Sequence, residues 1–234
     1  MPADEFVFPP APQASLAVQG TDARFPIRRI FCVGRNYEAH AREMGNAPPR
    51  EAPFFFTNPA DAALNTPCTI PYPPQTEDLH HEIELVIAIG KGGRNIAEED
   101  VMDHVWGASV GIDLTRRDLQ AEAKKAGRPW DWGKAFDNSA PIAPLKPIAD
   151  VPSVEQGRIW LAVNGTVRQD ADLADLIWSV REHVAILSHS MSLAPGDIIM
   201  TGTPAGVAAL VEGDVVTGGV DGIATLEVTI GPRA

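Results

Sequence analysis

The chain has 234 residues, a formal net charge of −12, and 44% hydrophobic and 21% charged side chains. This is the composition of a globular protein that is large enough to bury a substantial core. The acidic balance excludes a surface for nucleic acid or for an anionic membrane, because both require a basic footprint. A small anionic ligand is compatible with it, since a few local arginine or lysine residues can dominate the charge of a pocket.

Neither the cysteines nor the apolar residues indicate an extracellular or a membrane protein. The two cysteines, Cys32 and Cys68, are too few for a disulfide scaffold and lack the spacing of a zinc or redox motif. The first residues are acidic and lead into a proline-rich stretch, which is unlike a signal peptide. No apolar run approaches the roughly 18 residues that span a membrane. We therefore expect a cytoplasmic protein with no membrane partner.

The first third of the chain predicts short strands around one helix and one loop. Residues 1–27, rich in proline and alanine, predict an N-terminal arm or small lobe that precedes a main domain over residues 28–234. The polar, proline-bearing stretch 45–53 is typical of a mobile loop. In chain order the predicted elements are a strand at 30–34, a helix at 37–44, the loop at 45–53, and strands at 54–56 and 68–70.

Farther along the chain, strands again outnumber helices. Asn164-Gly165 lies between two apolar strands and predicts a hairpin turn, because both residues tolerate positive φ. Many short strands with few helices, and no βαβ rhythm along the chain, predict an α+β fold. The other predicted elements are a strand at 80–89, helices at 97–106 and 116–125, a strand at 108–113, one long helix at 173–191, a strand at 198–200 and a Gly/Pro loop at 201–206.

Glu82 and Glu84 stand one residue apart in the predicted strand 80–89. Because successive strand side chains point to opposite faces, both carboxylates aim the same way while Ile83 and Leu85 pack behind them. Two like charges held together invite a cation, and oxygen ligands alone favour Mg²⁺, Mn²⁺ or Ca²⁺ over Zn²⁺. The same pattern is also typical of an ordinary strand with one solvated face.

A third acid, Asp113, ends the predicted strand 108–113. If that strand lies beside the one that carries Glu82 and Glu84, the three carboxylates come together. Three carboxylates are the usual protein ligands of a hard cation whose other ligands are water molecules. By itself, Asp113 is equally compatible with an acid in a loop or at the start of a helix.

Five segments of the chain together resemble the fumarylacetoacetate hydrolase family. They occur in the family's order, and the chain is most similar to the short, acylpyruvase-type members. The segments are Cys32-Val33-Gly34-Arg35-Asn36-Tyr37, His80-His81-Glu82-Ile83-Glu84-Leu85, Gly111-Ile112-Asp113-Leu114-Thr115-Arg116-Arg117-Asp118-Leu119-Gln120, Gly133-Lys134-Ala135-Phe136-Asp137, and Gly196-Asp197-Ile198-Ile199-Met200-Thr201-Gly202-Thr203-Pro204-Ala205-Gly206-Val207.

The resemblance implies a mixed β-sheet roll with a few peripheral helices, and a homodimer. It implies that Glu82, Glu84 and Asp113 bind Mg²⁺ or Mn²⁺, with Ca²⁺ as a substitute in crystals. The ion would chelate the 2-oxo-carboxylate end of the substrate and polarise its ketone. The implied reaction is hydrolysis of the carbon–carbon bond of an acylpyruvate, with fumarylpyruvate giving fumarate and pyruvate in aromatic (gentisate) degradation as the expected case.

His40 and Glu43 are the candidates for the proton chemistry. At i and i+3 of the predicted helix they share a face, so Glu43 can hold the imidazole in the tautomer that accepts a proton from water. Alone, such a pair is typical of a solvated helix face. The resemblance implies that the pair belongs to a mobile lid over the active site. Lys134 is the expected helper of the leaving enolate, or an anchor for a substrate oxygen, although a lysine is ordinarily a surface residue.

Four further residues are candidates for substrate binding. Arg117 and Gln120, three apart on the helix after Asp113, could hold the far oxygens of the substrate, and arginine offers bidentate recognition of a carboxylate. Thr203 in the Gly/Pro loop could grip the pyruvyl carboxylate, although the loop alone predicts only a tight turn. Arg35 is the remaining candidate, and the choice of acyl group depends on where such arginines lie.

One position departs from the family. Asn58 stands where the family often has a lysine before the proline, which removes a positive charge from the expected pocket rim and weakens any substrate role transferred to that position. Two alternatives to hydrolysis stay open. One is decarboxylation of oxaloacetate, or decarboxylation, isomerisation or hydration of a related 2-oxo acid, all of which use the same enolate. The other is a non-catalytic module whose carboxylates only bind a metal.

Overall fold

The computed structural model describes residues 6–43 and 50–233. Short strands dominate it, as the sequence predicts, and the α+β fold class is confirmed. The α-helices of the described residues are α1 (Glu38–Glu43), α2 (Arg117–Ala126), α3 (Asp131–Lys134) and α4 (Val180–Ser190), and short 3₁₀ helices occupy Ala60–Ala62, Glu98–Asp103, Ile148–Asp150 and Leu173–Asp175. None of these helices is both long and apolar enough to cross a membrane.

The strands are short, between two and ten residues each. In chain order they are β1 (Ser15–Val18), β2 (Thr21–Pro26), β3 (Arg29–Gly34), β4 (Phe54–Asn58), β5 (Ala63–Asn65), β6 (Cys68–Tyr72), β7 (Leu79–His80), β8 (Ile83–Ile89), β9 (Val105–Ile112), β10 (Thr115–Arg116), β11 (Ala140–Ile142), β12 (Lys146–Pro147), β13 (Arg158–Val163), β14 (Thr166–Asp172), β15 (Asp197–Met200), β16 (Ala209–Leu210), β17 (Val215–Val220) and β18 (Ala224–Arg233).

Two large mixed sheets form the body of the protein. The larger has the order β4-β3-β15-β8-β9-β11-β5, with β12 added beside β9, and the other has the order β14-β13-β17-β18-β6. Two smaller sheets, β10-β7-β16 and the hairpin β1-β2, flank them. Three strand pairs, β3 with β15, β5 with β11 and β6 with β18, are parallel, and the other pairs among the described strands are antiparallel.

The main core lies between the two large sheets, and β8 is central to it. One face of β8 places Ile83 and Leu85 in the same apolar cluster as Leu161 of β13. The other face places Val86 and Ala88 in a second cluster. Every residue of β8 is buried, so the alternative reading of this run as a strand with one solvated face is wrong. Charged side chains at its start therefore lie inside the protein.

Two predicted helices are wrong in extent. The predicted helix 97–106 is a short 3₁₀ helix, and strand β9 already begins at Val105. The predicted helix 173–191 begins only at Val180, because Ser179 caps it: the Ser179 hydroxyl accepts from the Glu182 N–H, and the Glu182 carboxylate accepts from the Ser179 N–H. The predicted hairpin turn is confirmed, since Asn164 and Gly165 have φ values of 50° and 77°.

The amino-terminal hairpin β1-β2 shares a core with the larger sheet. Its Leu16 and Phe25 pack in the cluster that contains Ile30 and Cys32 of β3. The division of the chain at residue 27 stays a prediction. Of the predicted loop 45–53, residues 45–49 lie outside the described residues, and 50–53 have no regular secondary structure.

Candidate active site

Three acidic side chains meet where β8 and β9 run side by side. Glu82 directly precedes β8, Glu84 lies within it, and Asp113 follows the last residue of β9. The antiparallel register ends with the Asp113 N–H donating to the Glu82 carbonyl at 2.9 Å. Carboxylate oxygens of the three residues consequently lie within 4.8 Å of one another, and all three side chains are buried. We call this group the carboxylate cluster.

Two cations pair with part of the carboxylate cluster. Glu82 accepts from Arg117 Nη2 at 2.5 Å and from Lys134 Nζ at 2.7 Å. Lys134 Nζ also donates to Asp113 Oδ2 at 2.5 Å. Lys134 is only 2% exposed, so the reading of it as a surface lysine is wrong. α3, whose last residue is Lys134, thus delivers a buried positive charge between two of the acids.

Glu84 lacks a cationic partner among the described residues. Its Oε2 instead accepts from the backbone N–H of Gly202 at 2.8 Å. Gly202 has a φ of 99°, and a Cβ there would lie 2.7 Å from the Cβ of Asn36, so the loop can present this N–H only with glycine at that position. The three carboxylates and the two cations leave one negative charge in excess.

The pKa values within the cluster follow from these partners. Burial favours the neutral acids, but Lys134 and Arg117 hold the pKa of Glu82 below its ordinary value. Burial, followed by the charge of Asp113, raises the pKa of Glu84 well above its ordinary value. Burial would lower the pKa of Lys134, yet Asp113 and Glu82 raise it, so this residue stays a cation. Without another positive charge, Glu84 is therefore driven towards its neutral form, and oxygen donors of this kind suit a hard divalent cation that would let both acids ionise.

The sequence predicts that Asn58 lies at the rim of the pocket, but the structure places it beside the carboxylate cluster. The residue ends β4 and is buried. Its amide nitrogen donates to Asp113 Oδ1 at 3.4 Å. Asn58 thus supports a residue of the carboxylate cluster, and the loss of a lysine here affects the cluster rather than the entrance.

His40 and Glu43 share one face of α1, and His40 lines the cleft beside the carboxylate cluster. His40 Nδ1 lies 3.5 Å from Glu43 Oε2, at the outer limit of a hydrogen bond. The Glu43 carboxylate also accepts from the backbone N–H of Gly206, at 3.2 Å to Oε2. His40 is buried, and this burial lowers its pKa although Glu82 and Glu43 act in the opposite direction. The alternative of a solvated helix face holds for Glu43 but not for His40.

The predicted substrate-binding residues also line this cleft. Arg117 Nη1 donates to Gln120 Oε1 at 2.8 Å, so the two side chains act as one polar group beside the carboxylate cluster. Arg35 and Thr203 lie elsewhere on the wall. The structure therefore brings every predicted site residue except Glu43 to the wall of one cleft, and Glu43 lies behind it within contact distance of His40; the roles of these residues stay predictions.

Sequence reasoning missed Gln169, which fixes the orientation of Thr203. Gln169 is fully buried in β14. Its Nε2 donates to Thr203 Oγ1 and to the Pro204 carbonyl, both at 2.8 Å. Its Oε1 accepts from the Ile83 N–H at 3.1 Å and lies 2.9 Å from His81 Nδ1. Because the amide donates to Thr203 Oγ1, the Thr203 hydroxyl hydrogen must point elsewhere, and the cleft is the adjoining space.

Two further residues of the cleft, Lys124 and Trp130, were also missed. Lys124 could have been found, because Arg117, Gln120 and Lys124 follow one another at i, i+3 and i+7 on one face of α2. No comparable spacing leads to Trp130, which lies between α2 and α3.

Comparison with known proteins agrees with this geometry. Residues 29–231 match the family model described as fumarylacetoacetate (FAA) hydrolase C-terminal. A fumarylpyruvate hydrolase from Ralstonia sp. is 44% identical over 78% of this chain and 94% of its own. A mitochondrial oxaloacetate tautomerase from Arabidopsis thaliana is 40% identical over 88% of this chain and 92% of its own. The crystal structure of fumarylpyruvate hydrolase from Pseudomonas aeruginosa in complex with Mn²⁺ and pyruvate superposes with a TM-score of 0.95 at 49% identity, covering 98% of this chain and all of that one.

Proposed function

The chain belongs to the fumarylacetoacetate hydrolase family, and we propose that it hydrolyses the carbon–carbon bond between the acyl and pyruvyl parts of an acylpyruvate, with fumarylpyruvate giving fumarate and pyruvate. The observation that carries the proposal is a single cleft lined by both the buried carboxylate cluster and His40, with Glu43 3.5 Å behind the His40 ring at Nδ1. The relatives named fumarylpyruvate hydrolase support the choice of substrate.

Glu82, Glu84 and Asp113 would hold Mg²⁺ or Mn²⁺. The oxygen-only donor set fits a hard cation, and the charge of such an ion would offset the burial and the Asp113 charge that raise the pKa of Glu84. When bound, the ion supplies Lewis-acid polarisation of the 2-oxo group and positive charge for the enolate that leaves.

His40 is the general base that activates water. Glu43, 3.5 Å from Nδ1, favours the tautomer with the proton on Nδ1, which leaves the lone pair on Nε2. The lowered pKa keeps the ring neutral near pH 7. Water gives a proton to Nε2 while its oxygen bonds to the acyl carbonyl carbon. The bond between that carbon and the pyruvyl CH₂ carbon then breaks, and its electron pair stays with the pyruvyl part.

The remaining residues bind the leaving group. Lys134, a permanent cation in the buried cluster, stabilises the negative charge of the pyruvate enolate. The Thr203 hydroxyl donates to the pyruvyl carboxylate, and Arg117 with Gln120 holds the acyl oxygen. The proton on His40 Nε2 returns to the CH₂ carbon, which completes pyruvate and restores the base.

The test is an assay of the purified protein with Mg²⁺ or Mn²⁺ and fumarylpyruvate, followed by loss of the enol absorbance and by identification of fumarate and pyruvate. We expect stoichiometric release of both products and no reaction after chelation of the metal. Oxaloacetate is the comparison substrate. Rapid tautomerisation or decarboxylation of oxaloacetate without turnover of fumarylpyruvate would refute the proposal.

The finer aspects of this function are also proposals. We infer that the enzyme acts in the cytoplasm in the degradation of aromatic compounds, and that residues 28–234 form the catalytic domain of a homodimer with residues 1–27 as an N-terminal arm. The homodimer is what the resemblance to the family implies. Light scattering coupled to size-exclusion chromatography tests it, and a mass near 25.1 kDa would contradict it.

Gln169→Glu should raise the KM for fumarylpyruvate by about 10-fold with a smaller effect on kcat, since one charge-assisted hydrogen bond to the substrate contributes about 1.5 kcal/mol. The introduced carboxylate can only accept, so the Thr203 hydroxyl turns away from the cleft to donate to it. Thr203→Val is the matched variant. If Gln169 acts only by orienting the Thr203 hydroxyl, the double variant should have the same KM as Thr203→Val alone. Additive increases in KM would exclude this orienting role for Gln169.

A further inference from the structure

Two cations of the cleft have no anionic partner within the described residues. Arg35 follows β3, Lys124 lies in the last turn of α2, and both line the cleft. Neither forms an ion pair in the part of the chain that the structure describes, whereas Arg117 and Lys134 are paired with the carboxylate cluster. Charges needed only for solubility would lie on the open surface, but both of these side chains are partly buried.

An aromatic pair connects these two cations. The Arg35 guanidinium lies 5.7 Å from the centre of the Phe54 ring. Phe54 meets Trp130 edge to face with ring centres 5.0 Å apart, and Lys124 Nζ lies 4.8 Å from the Trp130 ring centre. Arg35, Phe54, Trp130 and Lys124 thus form a continuous surface, which we call the cation–aromatic wall. Its position depends on Gly34, because a Cβ there would lie 2.1 Å from the Phe54 ring.

The positive charge of the cation–aromatic wall is not balanced by an anion among the described residues. Burial, with the neighbouring charges of Arg117 and Arg35, lowers the pKa of Lys124 to about 8. Like charges held together in a half-buried place favour the arrival of an anion. The aromatic faces in turn favour a flat, conjugated group between the cations.

The distance between the wall and the carboxylate cluster also suits a ligand with two charged ends. Arg117 contacts Glu82 of the cluster, and Lys124 follows seven residues later on the same helix. Seven residues of α-helix rise by about 10 Å. The extended seven-carbon chain of fumarylpyruvate, which carries a carboxylate at each end, spans a comparable length.

We propose that the cation–aromatic wall binds the second carboxylate of a dianionic acylpyruvate, with the conjugated acyl chain lying against Trp130, the ring of the wall that lines the cleft. The inference rests on the proposed function and deepens it, because it names the part of the substrate that the enzyme selects. A fumaryl group is flat, conjugated and ends in a carboxylate. An acetyl group has none of these features, so the wall distinguishes fumarylpyruvate from acetylpyruvate.

The test compares the two substrates in Lys124→Met, which keeps most of the stem and removes the charge. The readout is kcat/KM for fumarylpyruvate divided by kcat/KM for acetylpyruvate. We expect this ratio to fall by about 10-fold, mainly through the KM for fumarylpyruvate, as for the loss of one charge-assisted contact. Arg35→Gln should lower the same ratio, and the double variant should lower it further.

Lys125→Met is the matched control, because Lys125 is the next residue of α2 and is exposed to solvent. It removes the same charge from the same helix, and the ratio should stay within about 2-fold of the wild-type value, as for a screened surface charge. An unchanged ratio in Lys124→Met, or an equal fall in Lys125→Met, would refute the binding of the second carboxylate by the cation–aromatic wall. Neither result would contradict the proposed function. If the wild-type protein hydrolyses neither acylpyruvate, the proposed function and the wall both fail.

Discussion

Glu84→Gln should lower metal-dependent turnover of fumarylpyruvate by about 10³-fold or more, because a metal ligand supports several kcal/mol of transition-state stabilisation. The change keeps the shape of the side chain and its contact with the Gly202 N–H, while one of the three anionic donors is lost. The variant should also lose the rise in melting temperature that Mn²⁺ gives the wild-type protein. Steady-state kinetics at several Mn²⁺ concentrations, and thermal unfolding with and without Mn²⁺, measure the two effects.

Stability without metal separates a ligand role from a structural one. Glu84 has no cationic partner in the described structure and repels Asp113, so its neutralisation should leave the free energy of unfolding of the metal-free protein unchanged or higher. Glu82→Gln is the matched variant. It removes the ion-pair partner of Arg117 and one of the two carboxylates that pair with Lys134, and leaving a cation unpaired in a buried site costs about 3–5 kcal/mol.

Both variants should be inactive, but only Glu82→Gln should unfold at clearly lower temperature. Equal destabilisation by the two changes would mean that the structure assigns the electrostatic partners of these acids wrongly. A Glu84→Gln protein that keeps wild-type turnover and a normal Mn²⁺ response would exclude Glu84 as a metal ligand.

The carboxylate cluster could be predicted because two local rules suffice to build it. Glu82 and Glu84 share a strand face by the period of two, and Asp113 joins them because strands close in sequence often pair. The hairpin at Asn164-Gly165 was predictable for a similar reason, since the turn chemistry lies in the two residues themselves. Such features depend on neighbours along the chain.

The contacts around the cluster could not be predicted in this way. Asn58 reaches Asp113 across 55 positions of sequence, and Gln169 reaches Thr203 across 34. Their neighbours depend on how β4 and β14 enter their sheets, which no local pattern specifies. The start of α4 is a different case, because the Ser179–Glu182 capping box is a local signal that the apolar periodicity of 173–191 obscured.

His40→Ala should lower kcat for fumarylpyruvate by about 10²–10⁴-fold, which is the usual contribution of a positioned general base. The carboxylate cluster does not depend on His40, so the Mn²⁺-induced rise in melting temperature should persist. Steady-state kinetics together with thermal unfolding test both statements. A His40→Ala protein with the wild-type rate would assign the activation of water to another group.

The pH dependence connects Glu43 to the same step. The neutral form of His40 is the active base, and burial lowers its pKa below the ordinary value of about 6.5, so kcat/KM should fall only at more acidic pH than that. Glu43 raises this pKa against the effect of burial. Glu43→Gln should therefore shift the acidic limb of the profile to lower pH while it reduces kcat. Glu38→Gln on the same helix, at an exposed ion pair with Arg42, is the matched control and should leave the limb in place. If the acidic limb stays at the same pH in Glu43→Gln, Glu43 does not affect the pKa of His40. Its role would then be limited to the hydrogen bond that it accepts from the Gly206 N–H.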